Sequence, residues 1–367
     1  MRRSSLVRLA VGVAFSSIAI VLVAKTVTLG DTLESLRRTN PVVFIPAAAL
    51  YFVGISVRSL RWRVLLGHHP VRLGLLFRSF VIGFTVNDLL PARLGELARI
   101  VILSQRASIP TGISFASIIA ERVLDGLVVT AFLVVGLMLV PGDAALQQLA
   151  GAAGVLFLGL TAAMLVAAFV PGPFRRLGVA VAGLTRGRWR ERLTRLVDTT
   201  LDGLEAIAAW RTALTALSLS FVVWGIEAVI YWIMLSTFSI PGGWIAAVMG
   251  TGVGNLATLL PSSPGYIGTF EWAVQQALVG AFGAAPADAL TAAVVIHLAV
   301  VVPVVPVGLW LIWQEGFTLT SLSQVASHPR GAVAGSAAGE VGRAEPVGHD
   351  GPPELEDERA VGSKRSN

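Results

Sequence analysis

The sequence predicts an all-α integral membrane protein with six full spans and two re-entrant helical hairpins, arranged as an inverted-topology repeat. Three observations support this fold class. Hydrophobic residues make up 54% of the 367-residue chain and charged residues only 14%, whereas about 25% of residues are charged in soluble domains. Six apolar runs approach the roughly 20 residues that a spanning helix needs. Two further apolar segments are too long for one crossing and contain proline and glycine in their middle.

The first predicted span is an apolar run that follows Arg2 and Arg3. This charge layout also occurs in signal peptides, but the run is about 19 residues long, which is nearer to a spanning helix. No small-residue cleavage site precedes Lys25, so we expect an uncleaved helix. The six predicted spans are 6–24, 42–57 (running on to about residue 60), 122–140, 152–170, 213–235 and 290–312.

The two interrupted segments are 73–106 and 244–283. Proline cannot donate a helical hydrogen bond and glycine lets the backbone turn, so each segment is expected to enter and leave the membrane on one side. A kink within an ordinary span remains an open alternative. The predicted breaks are Pro91 and Gly95 in the first segment, and Pro261, Pro264, Gly265 and Gly268 in the second.

The distribution of arginine predicts the orientation. Positive residues, Arg58 and Arg61 among them, concentrate in segments that this topology places in the cytoplasm. The connections near 141–150, 236–243 and 284–289 contain no Lys or Arg. Both termini are then cytoplasmic, in a multi-pass protein of the cytoplasmic (inner) membrane.

The order span, span, hairpin, span occurs twice. It covers roughly residues 1–141 and again 150–315. Because each unit has three crossings, the second unit is inverted relative to the first, as in many secondary transporters. Interrupted segments in matching places of two such halves point to a transport site near the bilayer midplane.

Two regions are expected outside the membrane. Residues 316–367, which follow the membrane domain of residues 1–315, are rich in Ala, Gly, Pro, Glu and Ser, as in a disordered cytoplasmic tail. The arginine-rich segment 175–195 contains Trp189 and predicts an amphipathic helix that rests on anionic headgroups. Nucleic acid is a poorer partner for this segment, and we expect none.

Ionisable side chains at membrane depth cost roughly 2.5 to 3.5 kcal/mol each on insertion scales and are usually functional. Here they cluster in the first interrupted segment and at the start of the third predicted span, with one more in the second interrupted segment. The candidates for substrate binding are Asn87, Asp88, Arg93, Glu96, Arg99, Glu121, Arg122, Asp125, Asn255 and Glu271.

These residue types suit an anionic lipid headgroup. Arg93, Arg99 and Arg122 offer guanidinium groups that match phosphate oxygens and stay charged, and helix N-termini behind the breaks add N–H donors. The carboxylates are expected to orient the arginines, contact sugar or amine groups, or carry a coupling proton. Two alternatives stay open: arginines that anchor to the lipid surface, and a structural ion network around Glu121 and Asp125.

The sequence offers little support for catalysis. It contains no cysteine and no P-loop, HExxH or GxSxG motif, so we expect no catalytic residue, metal or cofactor. Glu227 and His297 lie singly within spans. A single polar residue in a span hydrogen-bonds to a neighbouring helix about as often as it binds a ligand.

Two motifs resemble those of a known family. Residues 87–99 read NDLLPARLGELAR and residues 121–125 read ERVLD, which together resemble the signature of the lysylphosphatidylglycerol synthase transmembrane region, also called the flippase-like domain family. Residues 260–268, LPSSPGYIG, with Glu271 beyond them, are similar to the second motif of that family. The resemblance covers nearly all of residues 1–315.

The resemblance implies a lipid-translocating membrane domain. Some members are fused to a cytoplasmic aminoacyl transferase, for which residues 316–367 leave no room, and stand-alone relatives are linked to glycolipids or polyprenyl-phosphate-linked sugars. We therefore expect a flippase that moves a phospholipid or polyprenyl-phosphate-linked lipid by alternating access, as a homo-oligomer or beside a lipid- or glycan-synthesis partner. The alternatives are a membrane enzyme acting on a lipid-linked substrate and a non-transporting partner subunit of a synthase.

Overall fold

The computed structural model of the chain is a bundle of α-helices. It describes residues 29–90, 93–140, 144–185, 187–260 and 263–316, with five further positions at 14, 17, 18, 20 and 21. Its helices are α1 Leu29–Arg38, α2 Phe44–Leu65, α3 Leu73–Leu89, α4 Gly95–Ala107, α5 Thr111–Leu139, α6 Ala144–Phe169, α7 Pro171–Gly183, α8 Arg188–Ala208, α9 Trp210–Leu235, α10 Gly243–Ala257, α11 Thr269–Phe282 and α12 Pro286–Gln314.

Within the described residues, five helical segments are long and apolar enough to cross a membrane, and they overlap five of the predicted spans. They are Pro41–Leu65, Thr111–Leu139, Ala144–Phe169, Trp210–Leu235 and Pro286–Gln314. Several earlier predictions lie outside the described residues. These are nearly all of the first span, 6–24, the breaks at Pro91 and Pro261, and the tail from residue 317 onwards.

Two spans extend past the charged residues that were expected to limit them. Helix α2 continues to Leu65 and α5 already begins at Thr111, so Glu121 and Asp125 lie well inside α5 and do not open it. The expectation placed helix ends next to charged residues because an unpaired charge is costly in a membrane. The helices continue past Arg58, Arg61, Glu121 and Asp125 because each of these four side chains pairs with an opposite charge on another helix.

Each interrupted segment consists of two helices that pack against each other, α3 with α4 and α10 with α11. We call these the first and second helix pair, and the chain between the two helices of a pair its tip. Helix α4 begins at Gly95 after the first tip. In the second tip Pro264 begins a short 3₁₀ turn, and Gly265 and Gly268 have φ of +67° and +90°, values that a side chain disfavours.

The two helix pairs pack between the long helices in a reciprocal way. Helices α2 and α9 form the central contact of the bundle. Helix α3 of the first pair packs on α12, and α10 of the second pair packs on α5. Both tips are thereby brought to the centre of the bundle, beside α2 and α9.

The periphery contains α6, α7 and α8. Helix α6 is the least buried of the five long apolar segments, and α8 packs along α5 and α6. Helices α7 and α8 carry exposed apolar side chains beside the basic residues of the predicted surface segment: Leu177, Val179, Val181, Leu184 and Trp189. This pattern agrees with a helical segment that lies along a lipid surface.

The close approach of α3 and α4 yields a first prediction. A Cβ atom at Gly95 would lie 1.9 Å from the backbone oxygen of Gly83, and backbone cannot move aside as a side chain can. We expect Gly95→Ala to destabilise the protein by about 1–3 kcal/mol, as overpacking does elsewhere. The matched control is Gly74→Ala, which meets nothing within 4 Å. Thermal unfolding in detergent measures both, and a Gly95→Ala protein as stable as wild type would contradict the predicted contact.

Candidate functional site

Arg99 and Glu121 form a buried two-point ion pair. Both Nη atoms of Arg99 donate to the carboxylate oxygens of Glu121, each at 2.8 Å. The guanidinium group also lies against the rings of Phe80 and Trp62, 3.8 and 4.1 Å from their centroids. Parallel donation of this kind is the strongest form of arginine–carboxylate pair. Arg99 therefore has both Nη atoms occupied by Glu121, and its guanidinium group packs against two aromatic rings.

A second buried pair joins α2 to α5. Arg61 donates to the two oxygens of Asp125 at 2.5 and 3.3 Å, and to Ser220 at 2.8 Å. Trp224 also donates to Asp125, at 2.9 Å. Arg61 is fully buried, so the expectation that it is a surface charge in the cytoplasm is corrected. Its positive charge is buried because Asp125 neutralises it.

Arg58 is the second arginine whose expected surface position is corrected. It is 7% exposed and donates to Glu227 of α9 at 2.6 Å. Its guanidinium group lies 4.8 Å from the ring centroid of Trp224. Because Glu227 lies 169 residues away along the chain, no sequence pattern near Arg58 predicts this pair.

A polar cavity of about 140 Å³ lies between the two tips. Its walls come from α2, α3, α4, α5, α9, α10, α11 and α12 and from both tips. Six of the predicted site residues line it: Asn87, Asp88, Arg93, Glu96, Arg122 and Asn255. Sequence reasoning did not assign the rest of its polar and aromatic lining to the site: Tyr51, Arg58, Phe84, Trp224, Glu227, Tyr231, Thr258, Tyr266, Phe270 and His297.

The tips of the two helix pairs meet at this cavity. Arg93, from the first tip, donates to the backbone oxygen of Thr258 and, at 3.1 Å, to its hydroxyl oxygen. Its guanidinium group lies 5.4 Å from the ring centroid of Tyr266 in the second tip. A Cβ atom on Gly265 would lie 3.3 Å from the backbone oxygen of Asp88. The structure thus brings together the two motifs, which lie far apart in the sequence.

Arg122 projects from α5 toward the start of α4. Its Nη2 lies 3.0 Å from Glu121 and 3.8 Å from Glu96. The Arg122 side chain is 39% exposed, unlike Arg61 and Arg99, which are buried. Glu96 also accepts a long hydrogen bond of 3.5 Å from Asn87. Of the three arginines predicted to bind an anion, Arg93 and Arg122 line the cavity and Arg99 does not.

At the helix start that follows each break, one backbone N–H group already donates a hydrogen bond to a side chain of the protein. Asn87 Oδ1 accepts the N–H of Gly95 at 2.8 Å, at the start of α4. Glu271 Oε2 accepts the N–H of Gly268 at 2.7 Å, at the start of α11. One of the N–H groups expected to face an anion is therefore occupied at each helix start.

Glu271 also shares a hydrogen bond with His297. The distance from Glu271 Oε1 to His297 Nδ1 is 2.5 Å, and the imidazole packs 4.9 Å from the ring of Phe270. His297 was expected to be an isolated polar residue within a span. The structure gives it a partner, and places it on the wall of the polar cavity.

An apolar groove of about 390 Å³ adjoins the polar cavity. The two share Asp88, His297 and Val301 in their walls. Aliphatic side chains from the second tip, from α12 and from residue 20 supply most of the groove: Ile20, Ile267, Leu290, Val294, Leu298 and Val301. Glu271 lines the groove and not the cavity. Polar and apolar spaces thus meet at Asp88 and His297.

Among the described residues, no group of three His, Cys, Asp or Glu side chains could hold a metal ion.

These features define a multi-pass membrane protein that encloses a charged cavity between two interrupted helix pairs. A family model described as the lysylphosphatidylglycerol synthase TM region matches residues 9–308. The chain belongs to this family, which confirms the resemblance carried by the two motifs.

Curated proteins from archaea are similar to this chain. It is 28% identical over 325 residues to a protein named Glycosyltransferase AglD from Haloferax volcanii, an alignment that covers 79% of this chain and 52% of AglD. It is 23% identical over 292 residues to a UPF0104 membrane protein from Methanothermobacter thermautotrophicus, covering 74% of this chain and 84% of that protein. The chain thus spans about half the length of AglD.

The buried pair at Arg99 yields a second prediction. Removing one member of a buried ion pair leaves an uncompensated charge and costs about 3–5 kcal/mol, so Arg99→Gln is expected to lower thermal stability strongly. Arg175 provides the control, because it pairs with Asp198 and Asp202 while 46% exposed. Arg175→Gln is expected to cost at most about 1 kcal/mol. Equal melting temperatures of the two variants, measured in detergent, would rule out the structural role of Arg99.

Proposed function

We propose that the protein moves the headgroup of an anionic lipid across the cytoplasmic membrane. The lipid would be a phospholipid or a polyprenyl-phosphate-linked glycolipid. The observation that carries this proposal is the accessibility of Arg122 inside the polar cavity. Its side chain is 39% exposed although Glu96 and Glu121 lie within 3.8 Å. Charge that is kept at membrane depth without being fully enclosed usually marks a substrate pathway.

The phosphate group is proposed to bind between Arg93 and Arg122. Thr258 and Tyr266 hold the guanidinium group of Arg93 in place, and phosphate oxygens match the N–H groups that remain. Arg93 and Tyr266 both have positive φ, of 51° and 58°. Such strain costs about 1–3 kcal/mol per residue and concentrates at ligand-binding sites.

The remaining polar groups of the cavity would contact the rest of the headgroup. Asn87 and Asn255 occupy matching places, since α3 ends at Leu89 and α10 at Ala257. Both asparagines are proposed to bind hydroxyl or amine groups of the lipid. Asp88 and Glu96 would contribute to the same binding site, because they line the same cavity.

Three predicted site residues are proposed to act from behind the cavity. Arg99, Glu121 and Asp125 do not line it. Their ion pairs join α4 and α2 to α5, which would hold α5 in the position from which Arg122 reaches the headgroup. We therefore assign them a positioning role in substrate binding.

The two helix pairs are proposed to be re-entrant hairpins of an inverted repeat. Their helices contain 13 to 17 residues, which corresponds to lengths of about 20–26 Å. This is shorter than the roughly 30 Å hydrocarbon core. With the span at 6–24, the halves 1–141 and 150–315 would each contain three crossings and one hairpin. Both termini would then be cytoplasmic.

Transport is proposed to occur by alternating access. The contact of Arg93 with Thr258 joins the tips of the two hairpins, and these tips would separate on one side of the membrane at a time. Lipid tails would remain in the bilayer while the headgroup passes the arginines. The exposed apolar face of α7 and the arginines of α8 would rest on anionic headgroups.

A second candidate function is supported by the relative from Haloferax volcanii. That protein is named a glycosyltransferase, and this chain spans about half of its length. This supports a glycan-bearing lipid as the substrate, and it keeps a membrane enzyme and a partner subunit of a glycan synthase as the alternatives. Chemical change of the lipid during the assay below would favour the enzyme.

The proposed function yields a third prediction. Purified protein in liposomes is expected to speed the crossing of a fluorescent phosphatidylglycerol or of a polyprenyl-phosphate sugar. Arg93→Ala or Arg122→Ala removes a charge-assisted hydrogen bond worth about 1.5–3 kcal/mol, so crossing should slow by about 10- to 100-fold. Arg63→Ala is the matched control, since Arg63 is exposed at the end of α2 and does not line the cavity.

Two results of this assay would count against the proposal. In the first, no tested lipid crosses faster than in empty liposomes. In the second, Arg93→Ala and Arg122→Ala behave like Arg63→Ala although all three proteins elute as folded, monodisperse species.

A further inference from the structure

The carboxylates in the helical core fall into two groups. In the first group each carboxylate lies within 3.8 Å of an arginine: Glu121 with Arg99, Asp125 with Arg61, Glu227 with Arg58, and Glu96 with Arg122. Arginine cannot lose its proton in a protein. These carboxylates therefore face a permanent positive charge.

Asp88 and Glu271 form the second group, in which no arginine is the partner. Glu271 bonds to His297 at 2.5 Å. The Asp88 side chain forms no hydrogen bond or ion pair within the described part of the chain. With His297 it lines both the polar cavity and the apolar groove. Histidine changes its charge near neutral pH. These three residues are thus the part of the site whose charge can change.

Matching positions in the two halves of the chain carry an arginine in one half and a histidine in the other. Arg122 lies eleven residues after Thr111, where α5 begins, and His297 lies eleven residues after Pro286, where α12 begins. Each faces a glutamate from the first turn of the helix before it, Glu96 in α4 and Glu271 in α11. A permanent cation in the first half is thus matched by a titratable group in the second half.

We propose that Asp88, Glu271 and His297 form a proton-binding site that couples proton movement to lipid movement. This inference rests on the proposed function. Chains of Asp, Glu and His within membranes carry protons in pumps and transporters. Arg93 and Arg122 would hold the phosphate, while the proton site next to them sets the net charge of the cavity.

The sign of the coupling follows from charge balance. A proton taken from water on one side either neutralises a carboxylate or makes the imidazole cationic, and both changes favour an anionic headgroup. Binding of the headgroup in turn favours the proton, because the two affinities are linked reciprocally. Proton and lipid would therefore cross in the same direction, and the proton would be released to water on the other side.

The surroundings of His297 agree with a site that responds to both proton and lipid. Helices α1, α2, α3, α9 and α11 pack against α12. From these helices and the tips, the charged or titratable groups on the walls of the two spaces are Asp88, Glu271, Arg58, Tyr51, Glu227, Tyr231, Arg93 and Tyr266, with Glu96 from α4 and Arg122 from α5. Helix α1 contributes none of the groups on these walls. Arg58 is already neutralised by Glu227, so Asp88 and Glu271 are the carboxylates left to share a proton with His297.

The test imposes a pH gradient of about one unit on phosphatidylcholine liposomes that contain the protein and the two fluorescent lipids named above. A gradient of one pH unit is a tenfold difference in proton concentration, so it can favour one direction of lipid crossing by up to tenfold. Acid outside is expected to drive lipid inward at least about fivefold faster than acid inside, and a protonophore should abolish the difference. A pH-sensitive dye in the lumen should report acidification when lipid is added outside.

His297→Gln and Glu271→Gln supply two independent variants. Each should still allow crossing because Arg93 and Arg122 remain, but with a less than about twofold effect of the gradient. His69→Gln is the matched control, since His69 lies in a loop away from both spaces, and its response should equal that of wild type.

The outcomes separate the two proposals. The proton site is overturned if lipid crossing by the wild type does not depend on the gradient. It is also overturned if the His297→Gln and Glu271→Gln variants respond to the gradient as the wild type does. Neither result contradicts the lipid transporter. Faster outward movement with acid outside overturns the proposed direction of coupling. The absence of any protein-dependent crossing, with or without a gradient, overturns the transporter and the proton site together.

Discussion

The pairing of charges inside an apolar bundle is the interaction on which the rest of this structure depends. An isolated buried charge costs several kcal/mol after all relaxation, so a helix can carry one through the bundle only if another helix neutralises it. Arg61 with Asp125, and Arg99 with Glu121, meet this condition within hydrogen-bonding distance. Each pair also sets how far one helix is rotated and shifted against its neighbour. The accessible Arg122 is adjacent in sequence to Glu121 and is positioned by the same contacts.

The sequence predicted the helical class, five of the spans and the interruption of both remaining segments, because these depend on local composition. Apolar length predicts a spanning helix, and glycine or proline predicts where a helix stops. Helix limits were predicted less well. The end of α2 was placed beside Arg58 and the start of α5 beside Glu121, since hydropathy assigns each charge its full cost and cannot take account of a partner.

Only part of the charged site could be predicted, for a related reason. Arg93 and Arg122 belong to motifs that can be read along the chain, and both line the cavity. The role of Arg58 depends on Glu227, 169 residues away, and that of His297 depends on a contact with another helix. The available signal was that Glu227 and His297 are single charged or titratable residues within apolar spans. Such a residue indicates that a partner exists, but only the packing of α2, α9, α11 and α12 identifies it.

The reciprocal packing of the two helix pairs has a consequence for biosynthesis. Helix α3 packs on α12, which ends at Gln314, and α5 packs on α10 from the second half. While the ribosome is still translating the second half, α3 and α5 have been made without the helices that will cover them. The first half must therefore remain in the bilayer, with lipid or an insertion factor against these faces, until α10 and α12 have been made. Assembly of the charged centre is in this sense a late event, which completes the protein as a single unit and not as two halves that mature separately.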